Sequence, residues 1–133
     1  MKGRTWRILV VDDEESIRRL LKAYLEDEGF LVTMAATGEE GLETLSREAI
    51  HGAIVDMRLP GMDGNRFIEL AYGLQPGLKF LVYTGSIDYK PSASLANCGL
   101  RDCDVFRKPL RDMSVLSAAM LDLLQTGTGG ENG

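Results

Sequence analysis

The sequence predicts a doubly wound α/β domain, in which five parallel strands alternate with five helices and the sheet order is 2-1-3-4-5. Two observations carry this. Short apolar runs of strand length alternate with longer segments whose apolar residues recur at helical spacing. Polar residues of complementary chemistry also stand directly behind the strand-like runs, at the carboxyl ends where open α/β sheets bind ligands. The 133 residues fit one domain, long enough to bury a core without staples. That domain is expected over residues 1–125, followed by a flexible glycine-rich tail over 126–133.

Each element has its own signal. Residues 8–11 form a continuous apolar run after Trp6, which reads as a strand buried on both faces. Ile17, Leu20, Leu21, Tyr24 and Leu25 then repeat at helical spacing, and Gly29 is a natural stop. Residues 31–35 give the second strand. Thr37 and Glu40 make a capping-box pattern ahead of a helix carrying Leu42, Leu45 and Ala49 on one face. Ala53, Ile54 and Val55 form a third strand that ends at Asp56. The loop Arg58-Leu59-Pro60-Gly61-Met62-Asp63-Gly64 is rich in turn formers. A third helix places Phe67, Leu70, Ala71 and Leu74 on one face. Residues 80–83 are the fourth strand, ending at Thr84. Segment 88–98 reads as a short helix with a poor apolar stripe. Val105 and Phe106 belong to a fifth strand ending near Lys108-Pro109. The last helix carries Met113, Leu116, Met120, Leu123 and Leu124, a stripe that reads as core.

Composition excludes several functions. Hydrophobic residues at 44% and charged residues at 26% are ordinary for a soluble globular chain. A net charge of -5 argues against direct nucleic-acid binding, which usually needs a basic face. Cys98 and Cys103 match no metal or redox spacing, and His51 is the only histidine, so a Cys/His zinc site is not expected. No leader pattern and no membrane-length apolar run occur, so the expected compartment is the cytoplasm, without membrane contact.

The chemistry lies in the strand ends. Asp12 and Asp13 follow the first strand, Asp56 closes the third, Thr84 the fourth, and Lys108 follows the fifth. The order 2-1-3-4-5 puts strands one and three side by side, so the three aspartates would meet in one crevice. Carboxylates so crowded require either a proton or a cation. Hard oxygen ligands suit Mg2+. Lys108 would neutralise further charge, and Thr84 would offer a hydroxyl. Such a site can position a phosphoryl group for attack by a carboxylate, giving an acyl phosphate. Singly, each residue has a plainer explanation. Asp12 and Asp13 suit the start of a helix, Asp56 a turn, Thr84-Gly85 a strand end, and Lys108-Pro109 a solvated lysine before a turn. Four strand ends supplying complementary parts of one site favour the functional explanation.

The runs Ile8-Leu9-Val10-Val11-Asp12-Asp13-Glu14, Val55-Asp56-Met57-Arg58-Leu59-Pro60-Gly61-Met62-Asp63-Gly64, Thr84-Gly85 and Lys108-Pro109 resemble the response-regulator receiver family, and are similar to its single-domain, chemotaxis-type members. The resemblance spans residues 6–125 and implies a flavodoxin-like fold. It implies that Asp56 is the phosphorylation site of a two-component system. Mg2+ would be bound directly by Asp13 and Asp56, by Asp12 through a water, and by the main-chain carbonyl of Arg58. Thr84 would hydrogen-bond the phosphoryl group and Lys108 would pair with it. The donor would be a phosphohistidine on a sensor histidine kinase or a phosphotransfer protein, and no turnover beyond self-phosphorylation and self-dephosphorylation is expected. The output surface would be the fourth helix, fifth strand and fifth helix, contacting an effector or output domain. The chain would act as a monomer or a phosphorylation-dependent dimer.

Two positions depart from the family pattern. Val105 stands where an aromatic residue is usual, three before the lysine, and Arg101 stands where a glycine is usual. Segment 98–104 therefore reads as carrying a short insertion, and coupling is expected to run through Thr84 and the loop 85–90. Two rivals remain at this level. A haloacid-dehalogenase-type phosphatase would need an acid two residues after Asp56, where Arg58 stands. A non-phosphorylated pseudo-receiver would not need the full set of Asp12, Asp13, Asp56, Thr84 and Lys108. Residue order alone does not separate a stand-alone regulator from a receiver cut from a larger one.

Overall fold

A computed structural model describes the backbone of residues 5–132 and the side chains of residues 5–126. The elements run β1 (Arg7–Val11), α1 (Glu15–Asp27), β2 (Leu31–Ala35), α2 (Gly38–Arg47), β3 (Gly52–Val55), α3 (Gly64–Leu74), β4 (Lys79–Thr84), α4 (Ala93–Ala96), a 3-10 turn (Asp102–Asp104), β5 (Val105–Arg107) and α5 (Ser114–Asn132). All four strand pairings are parallel, and the order is β2-β1-β3-β4-β5, as the sequence predicts.

The sheet divides the core into two layers because side chains alternate along each strand. Leu9 and Val11 of β1, Ala53 and Val55 of β3, and Phe80 and Val82 of β4 pack into one layer, with Leu45, Phe67, Ile68 and Leu95. Ile8 and Val10, Ile54, and Leu81 and Tyr83 pack into the other, with Leu21, Leu25, Leu116, Met120 and Leu124. Strands covered on both faces have no need of polar alternation, so they read as unbroken apolar runs.

The expected stop of α1 and start of α2 are both present. Gly29, at φ 99°, terminates α1 in a conformation disfavoured for other residues, and Phe30 donates its N–H back to Leu25 O at 3.0 Å. Thr37 Oγ1 accepts from Glu40 N at 3.1 Å, while Glu40 Oε1 accepts from Ala36 N at 2.8 Å, one residue before the usual capping-box position. Asp63 caps α3 by accepting from Arg66 N at 2.9 Å.

Several stripe residues need correction. Leu20 is 47% exposed, because Leu21 and Leu25 already fill the contact of α1 with the sheet. Ala49 lies beyond the end of α2 and is exposed. On α3 the buried apolar side chains are Phe67, Ile68 and Ala71, whereas Leu74 is 51% exposed. Phe67 and Ala71 lie on both faces, and the buried one is turned from the expected one by roughly 60° of helix, toward Ile68. The helix expected within 88–98 contracts to the four residues of α4, anchored by buried Leu95. Met113 precedes α5 rather than lying in it, and packs against the core from outside the helix. The glycine-rich composition of 126–133 predicts a flexible tail. The backbone of α5 continues as helix to Asn132, and the side chains beyond Thr126 lie outside the described residues.

The segment before β5 has its own clasp. Gly99 adopts φ 92°, and Arg101 then grips buried Asp104 through Nε at 3.1 Å and Nη2 at 2.9 Å, while its main-chain N–H also reaches Asp104 at 2.9 Å. Between β4 and α4, Tyr89 is tied from two sides. Its hydroxyl donates to Asn65 Oδ1 at 3.1 Å, and its carbonyl accepts from Arg107 Nη2 at 3.0 Å. Burial, aided by the charge of Asp63, pushes the Tyr89 phenol up to about 12, so it stays a donor at any ordinary pH.

The rotated face of α3 can be tested directly. Ile68→Ala should cost about 2–5 kcal/mol in urea unfolding, and Leu74→Ala within about 0.5 kcal/mol. Equal costs would contradict the packing described.

Candidate functional site

The strand ends converge because the ladder continues one residue past each strand. Val11 is in register with Val55. Asp12 N donates to Ala35 O at 3.1 Å, Asp56 N to Val11 O at 2.9 Å, and Lys108 N to Thr84 O at 2.9 Å. Asp12 and Asp56 thereby leave neighbouring strands at one level, with Lys108 opposite across β4.

Helix α3 is drawn in behind them. A Cβ on Gly64 would lie 2.6 Å from the carbonyl oxygen of Asp56 and 2.8 Å from Met57 Cα. Only a residue without a side chain permits that approach, so Gly64 shapes the floor under Asp56.

Carboxylate oxygens of Asp12, Asp13 and Asp56 all lie within 4.8 Å of one another. Asp12 and Asp56 are buried and Asp13 is exposed. Lys108 Nζ is 2.9 Å from Asp12 Oδ2, 2.8 Å from Glu14 Oε1 and 3.4 Å from Asp56 Oδ2. The second oxygens of the two buried aspartates are also engaged: Asp12 Oδ1 accepts from Glu14 N at 2.9 Å and Asp56 Oδ1 from Arg58 N at 3.3 Å. The main-chain oxygen of Asp12 accepts from Arg18 Nη1 at 2.9 Å. Asp13, Glu14, Asp56, Arg58, Gly85 and Lys108 line an open cleft of about 390 Å³.

Electrostatics follow from this crowding. Burial raises the Asp12 carboxyl above its ordinary range, against the opposing pull of Lys108. Burial alone would lower the Lys108 ammonium, but hydrogen bonds to Glu14 and Asp12 and the charges of Asp12 and Asp56 outweigh it, so Lys108 stays protonated. Glu14 is held below its usual range by Lys108. One ammonium thus faces four carboxylates, counting Asp13. The donor set is all oxygen, with negative charge in excess, and fits a small hard cation.

The structure brings together Asp12, Asp13, Asp56 and Lys108, and puts the backbone of Arg58 beside Asp56. Thr84 is fully buried at the end of β4, and its hydroxyl accepts from Ser86 N at 3.3 Å. The sequence does not single out Glu14 as a partner of Lys108. Its signal was its place as the third acid of the run Asp12-Asp13-Glu14, which alone did not foretell contact with a lysine 94 residues away.

A parallel five-stranded sheet with an acidic, lysine-closed cleft at its switch point defines a doubly wound phosphate- or cation-handling domain. The family model of the response regulator receiver domain matches residues 8–120. The chain belongs to this family, the receiver domains of two-component response regulators, which are signalling domains rather than catalytic enzymes. It is 36% identical over 89 residues to the transcriptional regulatory protein GlrR of Escherichia coli, covering 65% of this chain and 20% of that protein. It is 33% identical over 97 residues to a putative NtrX-like response regulator of Rickettsia felis, covering 71% of this chain and 20% of that protein. The chain thus spans about a fifth of the length of these relatives. Among solved structures, a CheY-like receiver domain protein of Methanospirillum hungatei superposes with TM-score 0.85 at 32% identity, covering 96% of this chain and 99% of that one. The response regulator TrrA of Thermotoga maritima, solved with Mg(2+)-BeF, gives TM-score 0.78 at 28% identity, covering 90% and 100%. No helix among the described residues is long and apolar enough to cross a membrane.

Asp12→Asn keeps an acceptor for Glu14 N–H but removes a buried charge. In chelator it should raise the melting temperature, since the ionised carboxyl is disfavoured by burial. A fall would show that the pairing with Lys108 outweighs the crowding.

Proposed function

We propose that Asp56 is the phospho-acceptor of this receiver, and that a phosphohistidine on a sensor histidine kinase or phosphotransfer protein is its donor. The supporting observation is the convergence of Asp12, Asp13 and Asp56 within 4.8 Å, closed by Lys108. An Asp56 oxygen attacks phosphorus, the O–P bond forms as the P–N bond breaks, and the electron pair leaves with the imidazole. Lys108 balances the charge that arrives. The Thr84 hydroxyl, which accepts from Ser86 N, donates its O–H to a phosphoryl oxygen. Water later cleaves the acyl phosphate.

Asp13 and Asp56 would hold Mg2+ directly, Asp12 through a water, with the main-chain carbonyl of Arg58 completing the protein ligands. The bound ion would supply neutralisation of the phosphoryl oxygens. The TrrA neighbour, solved with Mg(2+)-BeF, supports this.

Residues 1–125 would act as the receiver proper, with 126–133 as the tail that follows it. Output would leave through α4, β5 and α5 toward an effector or output domain, without direct contact of this domain with nucleic acid. The transcriptional regulators among the relatives support that direction of signalling. A cytoplasmic location, and a monomer or phosphorylation-dependent dimer, complete the reading.

Incubation with Mg2+ and acetyl phosphate should add one phosphoryl group by mass spectrometry, and Asp56→Asn should abolish it. Unchanged mass with several donors would favour a module that works unphosphorylated. Separately, Mg2+ at 100-fold its Kd should stabilise the protein by about 2.7 kcal/mol through mass action. Asp13→Asn should blunt that gain, and a melting curve indifferent to Mg2+ would count against the metal site.

A further inference from the structure

The shortest ion pair of Lys108 is to a residue with no part in the acceptor chemistry. Glu14 Oε1 lies 2.8 Å from Nζ, whereas Asp56 Oδ2 lies at 3.4 Å. The Glu14 side chain is 57% exposed at the rim of the cleft, and Lys108 only 13%. The backbone of Glu14 is fixed, because its N–H donates to Asp12 Oδ1 at 2.9 Å and its carbonyl receives the N–H of Ile17 and Arg18. A rigid base therefore carries a solvent-facing carboxylate that reaches in to the ammonium.

We propose that Glu14 is a positioning residue that competes with the incoming phosphoryl group for Lys108, and so restrains phosphorylation of Asp56. The inference rests on the acceptor reading given above. In the unphosphorylated protein Glu14 draws Lys108 toward the rim. An acyl phosphate on Asp56 carries up to two negative charges where the carboxylate carried one. Lys108 then has a stronger partner deeper in the cleft, and Glu14, now facing like charge, loses its own. Breaking the Glu14–Lys108 contact is thus part of the cost of phosphorylation. An ion pair with one exposed member contributes little, which sets the expected effect at about two- to fivefold in rate.

Three variants separate contact from bulk charge. Glu14→Gln removes the charge. Glu14→Asp keeps the charge on a fixed backbone but draws the carboxylate back by roughly one bond length. Glu15→Gln removes the same charge one residue on, where Glu15 pairs with Arg19 at 2.8 Å on the outer face of α1. With acetyl phosphate and Mg2+, the Asp56 O–P bond forms as the acetyl P–O bond breaks, the electron pair leaving with acetate and no proton moving. The rate is followed by mass spectrometry. Glu14→Gln and Glu14→Asp should both be about two- to fivefold faster than wild type, with Glu15→Gln unchanged. Acceleration in Glu14→Gln alone, or equally in Glu15→Gln, would assign the effect to general charge and overturn the proposal, as would no acceleration. In a second measurement, on metal-free unphosphorylated protein, the 15N resonance of the Lys108 ammonium should move in both Glu14 variants and stay in place in Glu15→Gln. A resonance indifferent to Glu14 would also overturn it. Wild-type protein that takes no phosphoryl group at all would overturn the acceptor reading and this inference together, a result distinct from the others.

Discussion

The ammonium of Lys108, set among the carboxylates of Asp12, Glu14 and Asp56, is the interaction on which the organisation of the cleft depends. Among the described residues it is the cation that meets these acids at ion-pair distance. Without it, buried Asp12 and Asp56 would face each other with no compensating charge, which costs several kcal/mol per ion in a low-dielectric site. The sheet makes the arrangement possible, since parallel strands deliver their carboxyl ends to one edge. β1 and β3 present acids there, β4 a hydroxyl, and β5 the lysine.

That arrangement also explains what the sequence disclosed. Buried parallel strands leave unbroken apolar runs, so Ile8, Leu9, Val10 and Val11 announce β1 unaided, and the acid after each run is placed by the strand's end. Helix faces are harder to read. Leu70 and Leu74 suit a helical stripe as well as Ile68 and Ala71 do, and only packing against α2 and the sheet decides which pair is buried. Ala49 continued a periodic pattern past the point where α2 ends. Glu14 could not be assigned because its partner is remote in sequence and the adjacent aspartates already accounted for its acidity. Asp12, Asp13, Asp56 and Lys108 were legible because each sits immediately behind a strand.

The departures at Arg101 and Val105 have a structural counterpart. Arg101 uses its side chain to secure Asp104, holding the turn that leads into β5. Val105 is half-buried and packs against the layer that contains Phe80 and Val82. Nearby, the aromatic ring of Tyr89 is contributed by the loop before α4 rather than by the strand, and it packs against the same layer.

The tethering of that loop sets an energy scale for its release. Ser86 N is bound by Thr84 Oγ1, the Tyr89 hydroxyl by Asn65 Oδ1, and the Tyr89 carbonyl by Arg107 Nη2. At a net of about 1 kcal/mol each, three such bonds hold the loop by roughly 3 kcal/mol, a population ratio on the order of a hundredfold. On that scale the closed loop is favoured, with a small open minority expected. A ligand that accepts the Thr84 O–H leaves lone pairs of the same oxygen for Ser86 N, so capture loosens the loop only where the hydroxyl turns away from that N–H.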